Sequence, residues 1–204
     1  MKKILILLFV AAVYFACNSG SEQNKDKTTD SNAAEIKKDS LILERGMQIS
    51  GQAQGKLAGK LMQAVQDSGV AYALQFCSVE ALPLTQSVGE EQGVKVSRVS
   101  HKPRNPLNRA NEAEMNIIKN YQNIVAQNAE PKPQVVEKEN HFLYYSPIVI
   151  PANLCLKCHG EPGKDIAEED FITIQMLYPE DQATGFALGD LRGMWKIRFD
   201  KAAL

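Results

Sequence analysis

The sequence predicts an α+β domain, and three observations predict it. Apolar residues recur at helical spacing over residues 40–66, 70–79 and 112–128. Residues 94–99 alternate as a half-buried strand does, and residues 135–138 and 142–150 are β-rich runs around Glu139-Asn140, a hairpin signal. A last run over residues 191–199, with Trp195 at its middle, reads as a closing strand.

The segment ahead of this domain is of another kind. Residues 1–16 hold two lysines and then an unbroken apolar run from Ile4 to Ala16. That is the pattern of a secretory signal peptide, too short to span a bilayer as a permanent helix. Cys17 closes the run and resembles the lipobox cysteine of bacterial lipoproteins, although Tyr14 and Phe15 depart from the residues usual there. The resemblance implies that Cys17 is acylated and anchors an exported protein to a membrane of the periplasm or cell envelope. Residues 17–40 are then almost wholly polar, which predicts a disordered tether, because such a segment cannot bury enough surface to offset its ordering entropy. Residues 41–204 make one domain, large enough for a core and a cofactor pocket. The net charge is −1 with both signs interspersed, and nothing points to a nucleic-acid partner.

Within the domain, Lys38-Asp39-Ser40 caps a helix with Leu41, Ile42, Met47, Leu57, Leu61, Met62 and Val65 at its apolar positions. Gly46, Gly51, Gly55 and Gly59 make a smooth face suited to close packing. Asp67-Ser68-Gly69 is expected to break the helix. Beyond it Val70, Leu74, Cys77 and Ala81 form one apolar stripe. Pro83 suits the first turn of a further helical piece over residues 82–92, which Gly93 ends. After the first strand comes a proline-punctuated loop, residues 101–109. Asn111 then caps a helix that turns Met115, Ile118, Tyr121 and Val125 inward. Tyr144 and Tyr145 alternate across a strand, so one of them faces the core or a pocket. Residues 165–177 start acidic and place Ile166, Phe171, Ile174 and Leu177 on a helix face.

The chemistry is concentrated at Cys155-Leu156-Lys157-Cys158-His159. C-x-x-C-H is the attachment signature of a covalently bound c-type haem. Two thiols add to the two vinyl groups of one porphyrin, and the histidine that follows is carried under the ring to bind iron. A zinc ribbon would need a second cysteine pair, and a thioredoxin-like dithiol would sit at the strand-to-helix junction of a βαβ unit, whereas Gly160 and Pro162 follow here. Of four cysteines, Cys17 goes to lipid and Cys155 and Cys158 to haem, which leaves Cys77 without a disulfide partner. It is either a buried, inert side chain or a ligand. With a haem to be housed, this unspent soft donor points to the distal iron position. His101 and His141 are rival distal ligands. Met62, Met115 and Met176 lie at core spacings and read as packing. Arg98, Arg104 and Arg192 are candidates either for pairing with haem propionates or for anchoring loops.

The order of elements, together with five stretches, resembles a family of bacterial c-type haem proteins with a PAS-like fold, prominent in cyanobacteria. The stretches are Cys77 in its helix, Arg98-Val99-Ser100 leading to Arg104-Asn105-Pro106-Leu107-Asn108, the haem motif, residues 178–185 and residues 189–193; they span residues 41–200. The resemblance implies a PAS-like antiparallel sheet flanked by helices, with one haem c between sheet and helix and His159 and Cys77 as axial ligands. A thiolate ligand favours Fe(III) and lowers the reduction potential.

Three functions follow as expectations. The first is a membrane-tethered c-type cytochrome passing electrons to a redox partner protein. The second is a sensor of redox state or of a diatomic gas displacing Cys77; with no output domain or transmembrane helix in the sequence, its signal would pass through a partner. The third is a peroxidase-type enzyme, which a ligating Cys77 disfavours by closing the distal position. Electron transfer or a redox relay, without catalysis, is the function expected first.

Overall fold

A computed structural model describes the backbone from residue 25 and the side chains from residue 38, through Leu204. The signal peptide and Cys17 lie outside the described residues. Residues Lys37–Leu204 form a compact unit, and all the packing described below lies within it.

Helix α1 (Lys25–Glu91) begins inside the stretch expected to be a disordered tether. Ala33, Ala34, Glu35, Lys37 and Lys38 are good helix formers, and extending a helix already nucleated downstream needs no new nucleus. The 67 residues of α1 would measure about 100 Å if straight. They are not straight. Gly69 has φ 81° and ψ −177°, a conformation open essentially to glycine alone. Lys56 and Glu91, 35 positions apart, pair at 2.7 Å, and Ile49 and Ala53 share one apolar cluster with Val88. The expected break at Asp67-Ser68-Gly69 is therefore a reversal, and α1 is a helical hairpin. The restart expected at Pro83 does not occur, because Pro83 lies inside the returning arm. The carbonyl it deprives of a partner belongs to Val79, which is 67% exposed and can take water instead.

Four strands follow: β1 (Lys95–Val99), β2 (Gln134–Glu137), β3 (His141–Val149) and β4 (Leu191–Asp200). They pair antiparallel throughout in the order β1-β4-β3-β2, so the last strand in sequence is central. The β2–β3 hairpin closes where expected, with the Lys138 N–H donating to the His141 carbonyl at 2.8 Å. Tyr144 and Tyr145 are both buried, on opposite faces. Tyr144 packs with Ile42, Ile49 and Trp195 under α1, and Tyr145 packs with Ile118, Tyr121 and Met194 under α2 (Glu112–Ala126). Asn111 caps α2 in a reciprocal box with Glu114.

Two packing expectations fail. Of the glycines, Gly46 lies close against the Tyr144 ring, but Gly51, Gly55 and Gly59 have no packing partner within 4 Å. Met62 and Met176 are 47% and 77% exposed, whereas Met115 packs against the cluster under α2. The haem motif lies on a short helix, α3 (Asn153–His159), and α4 (Glu168–Leu177) follows it. Ile174 and Phe171 of α4 pack against Leu74 of the returning arm and against Cys158. No helix among the described residues is long and apolar enough to cross a membrane.

Candidate functional site

A cavity of about 610 Å³ opens between the returning arm of α1, one face of the sheet and α3. The apolar stripe predicted on the arm faces inward: Leu74 and Ala81 are buried, Cys77 is half-buried, and all three line the cavity. Cys155, Cys158 and His159 line it from α3. Arg98 reaches it from β1, Arg192 from β4 and Arg104 from the loop after β1. Residues distant in sequence thus converge on one space. His101 and His141 do not line it. His101 turns its Nε2 to the Gln122 side-chain amide at 3.2 Å, and His141 opens β3 opposite Asp200.

His159 closes α3, and the loop that follows α4 wraps over it. Its Nδ1 lies 2.8 Å from the Ala183 carbonyl, and because a carbonyl only accepts, Nδ1 carries the proton. Nε2 is left with its lone pair, the form in which imidazole binds a metal. Burial, followed by the charges of Arg192 and Arg104, holds the His159 imidazole well below the usual histidine range, so it is neutral. Burial pushes the Cys77 thiol up while the charges of Arg98 and Arg104 pull against it, and burial pushes Cys158 up to about 11.

The three arginines differ in what they already hold. Arg104 is committed to Asp181, donating from Nε at 3.1 Å and from Nη2 at 3.2 Å. Arg192 donates from Nη1 to Ser100 Oγ at 2.8 Å and to the Lys102 carbonyl at 3.0 Å, but its buried Nε has no partner among the described residues. Arg98 stacks over Trp195 at 5.8 Å, and its buried Nε is likewise unpartnered. Burial lowers both guanidiniums from their ordinary range, Arg192 to about 9, with the neighbouring arginines adding to the shift in Arg192. Among the described residues lining the cavity there is no Asp or Glu to balance them.

Sequence reasoning assigned no role to Asp181, Ala183, Tyr178 or Phe186. Phe186 stands edge-on to both His159 and His101, at centroid distances of 6.3 and 6.0 Å. Tyr178 lines the cavity beside Cys77 and Arg98, with its phenol pushed up to about 12 by burial and by Cys77. Tyr178, Asp181 and Ala183 lie in the 178–185 stretch, which carries part of the family resemblance but no assigned role for any one residue. An acceptor that is a backbone carbonyl leaves no residue-type signal at all.

No curated protein matches the chain. The crystal structure of the cyanobacterial haem protein Tll0287 is similar, with 23% identity and a TM-score of 0.51, covering 71% of this chain and 94% of that one. At that identity the likeness concerns the fold, an α+β arrangement of a four-stranded antiparallel sheet and helices. The sequence pattern of the Tll0287-like family matches residues 22–199, nearly the whole described chain, and the chain belongs to that family.

Proposed function

We propose that this protein is an exported c-type cytochrome. It binds one haem c through Cys155 and Cys158, ligates the iron with His159 and Cys77, and serves electron transfer or a redox relay at a membrane to which Cys17 anchors it. The observation that carries the reading is the meeting of those four side chains on one cavity with Arg98 and Arg192. Two buried guanidinium nitrogens without partners, in a wall without carboxylates, call for an anionic guest. A porphyrin offers an apolar disc and two carboxylates, and the residues present fit it. A cavity of about 610 Å³ lies within the usual range for a bound organic ligand.

Bound there, haem supplies a one-electron Fe(III)/Fe(II) couple. The chain supplies the rest. His159 presents Nε2 with its tautomer fixed by Ala183. Cys77, on the opposing helix arm, would offer a sulfur that bound iron holds deprotonated and that favours the ferric state. Arg98 and Arg192 are the partners for the propionates. With His159 and Cys77 both bound to the iron, no position would be left open for peroxidase chemistry, which supports a non-enzymatic role. The test is mass spectrometry of the exported protein with a pyridine haemochrome assay. The reading expects one covalent porphyrin per chain, lost in the Cys155→Ala/Cys158→Ala variant. A wild-type protein purified from a host competent in cytochrome c maturation without that added mass refutes it.

A further inference from the structure

Arg104 does more than neutralise Asp181. Its Nη2 donates to the Cys158 carbonyl at 2.6 Å and to the Ala183 carbonyl at 3.4 Å. Asp181 Oδ1 meanwhile accepts from the Ala183 backbone N–H at 2.9 Å. Both side chains are close to buried, 12% and 7% exposed. Ala183 is therefore gripped at its N–H and at its carbonyl by one bidentate ion pair, which also holds the carbonyl between the two motif positions Cys158 and His159. The Ala183 carbonyl is the acceptor for His159 Nδ1–H. A chain of contacts thus runs from Asp181 and Arg104 through the backbone of one residue to the imidazole.

We propose that Arg104 and Asp181 are positioning residues for His159, and that by fixing the Ala183 carbonyl they set how strongly Nε2 donates to the iron. The inference rests on His159 being the proximal ligand. A hydrogen bond from the far ring nitrogen to a fixed acceptor makes imidazole a more basic ligand, and a more basic ligand favours Fe(III). Arg104 is accordingly not a propionate partner, and that role falls to Arg98 and Arg192.

A rival account gives the pair only its charges, and the double variant Arg104→Gln/Asp181→Asn separates the two. It removes one positive and one negative charge from neighbouring sites, and because Arg104 lines the cavity while Asp181 does not, charge alone leaves the potential unchanged or lowers it. Positioning predicts that the potential rises, as the preference of His159 for the ferric state falls about tenfold, or about 59 mV for one electron. The iron–histidine stretching band, recorded by resonance Raman on the reduced protein in a Cys77→Ala background, is expected to move to lower frequency. Haem content stays at one per chain. An unchanged potential and an unmoved band overturn the proposal. Should the double variant fail to fold, Arg104→Lys carries the test. It keeps the charge but cannot span both carboxylate oxygens and the carbonyls, so a smaller rise is expected and no rise overturns the proposal. A protein with Arg104 and Asp181 intact that shows neither an iron–histidine band nor a bis-nitrogen spectrum in that background would instead bring down the ligation reading itself.

Discussion

Lys56 and Glu91, 35 positions apart, meet at 2.7 Å across the two arms of the α1 hairpin. The contact exists because the chain reverses at Gly69, and the reversal lays Cys77 over the wall that holds Cys155, Cys158 and His159. Any residue with a Cβ is strained at φ 81° and ψ −177°. Gly69→Ala is therefore expected to destabilise the fold by about 1–3 kcal/mol in thermal unfolding. Lys56→Ala removes an ion pair that is half exposed and is expected to change stability by less than about 1 kcal/mol.

Two glycines of α1 predict opposite outcomes for the same substitution. A Cβ on Gly46 would lie 2.3 Å from the Tyr144 ring, which is wholly buried and shares a 3.3 Å hydroxyl contact with Ser50. Gly46→Ala should lower the denaturation midpoint by the equivalent of about 1–3 kcal/mol. Gly55 faces open space, so Gly55→Ala should raise it by about 0.5–1 kcal/mol through helix propensity.

Arg98 should behave oppositely in haem-free and haem-loaded protein. Without haem it is a buried cation with an unpartnered Nε, and Arg98→Met, which keeps the apolar contact with Trp195, is expected to stabilise the chain by about 1–3 kcal/mol. With haem bound as proposed, the same change would remove a propionate partner and a positive charge near the iron. Melting of the loaded form should then move the other way, and the reduction potential should fall.

Alkaline pH should weaken the fold through its tyrosines. Burial pushes Tyr145 and Tyr178 up to about 12 and Tyr121 further. A phenol raised in the folded state contributes its stability fully below its unfolded value of about 10 and loses it as pH rises toward the folded value. Stability measured by chemical denaturation is expected to be flat to about pH 10 and to decline between about 10 and 12. Phenolate absorbance from these three residues should rise together with unfolding rather than ahead of it.

Much of this architecture was legible in the residues, for reasons that can be named. Val70, Leu74, Cys77 and Ala81 form one stripe, because helical periodicity reports burial directly. The capping pair Asn111 and Glu114 and the β2–β3 hairpin are local, set within a few residues. Other features depend on contacts that no local pattern records. Gly69 marked a break, but a break does not say whether the chain stops, bends or reverses, and contacts between the two arms, such as Lys56 with Glu91 and Ile49 with Val88, decide it. Pro83 looked like a start and lies within a helix because Val79 faces water. Met62 and Met176 have core character but face outward. Arginine identity likewise could not divide Arg104, spent on Asp181, from Arg98 and Arg192, which have nitrogens to spare.

The most direct test of the two-ligand centre is electron paramagnetic resonance of the purified ferric protein beside its Cys77→Ala variant. The wild type is expected to give a low-spin signal with the narrow g-spread of a histidine–thiolate haem. The variant, with its porphyrin still covalently attached, is expected to give a high-spin or bis-nitrogen signal. Identical spectra from the two proteins would contradict the assignment of Cys77 to the iron.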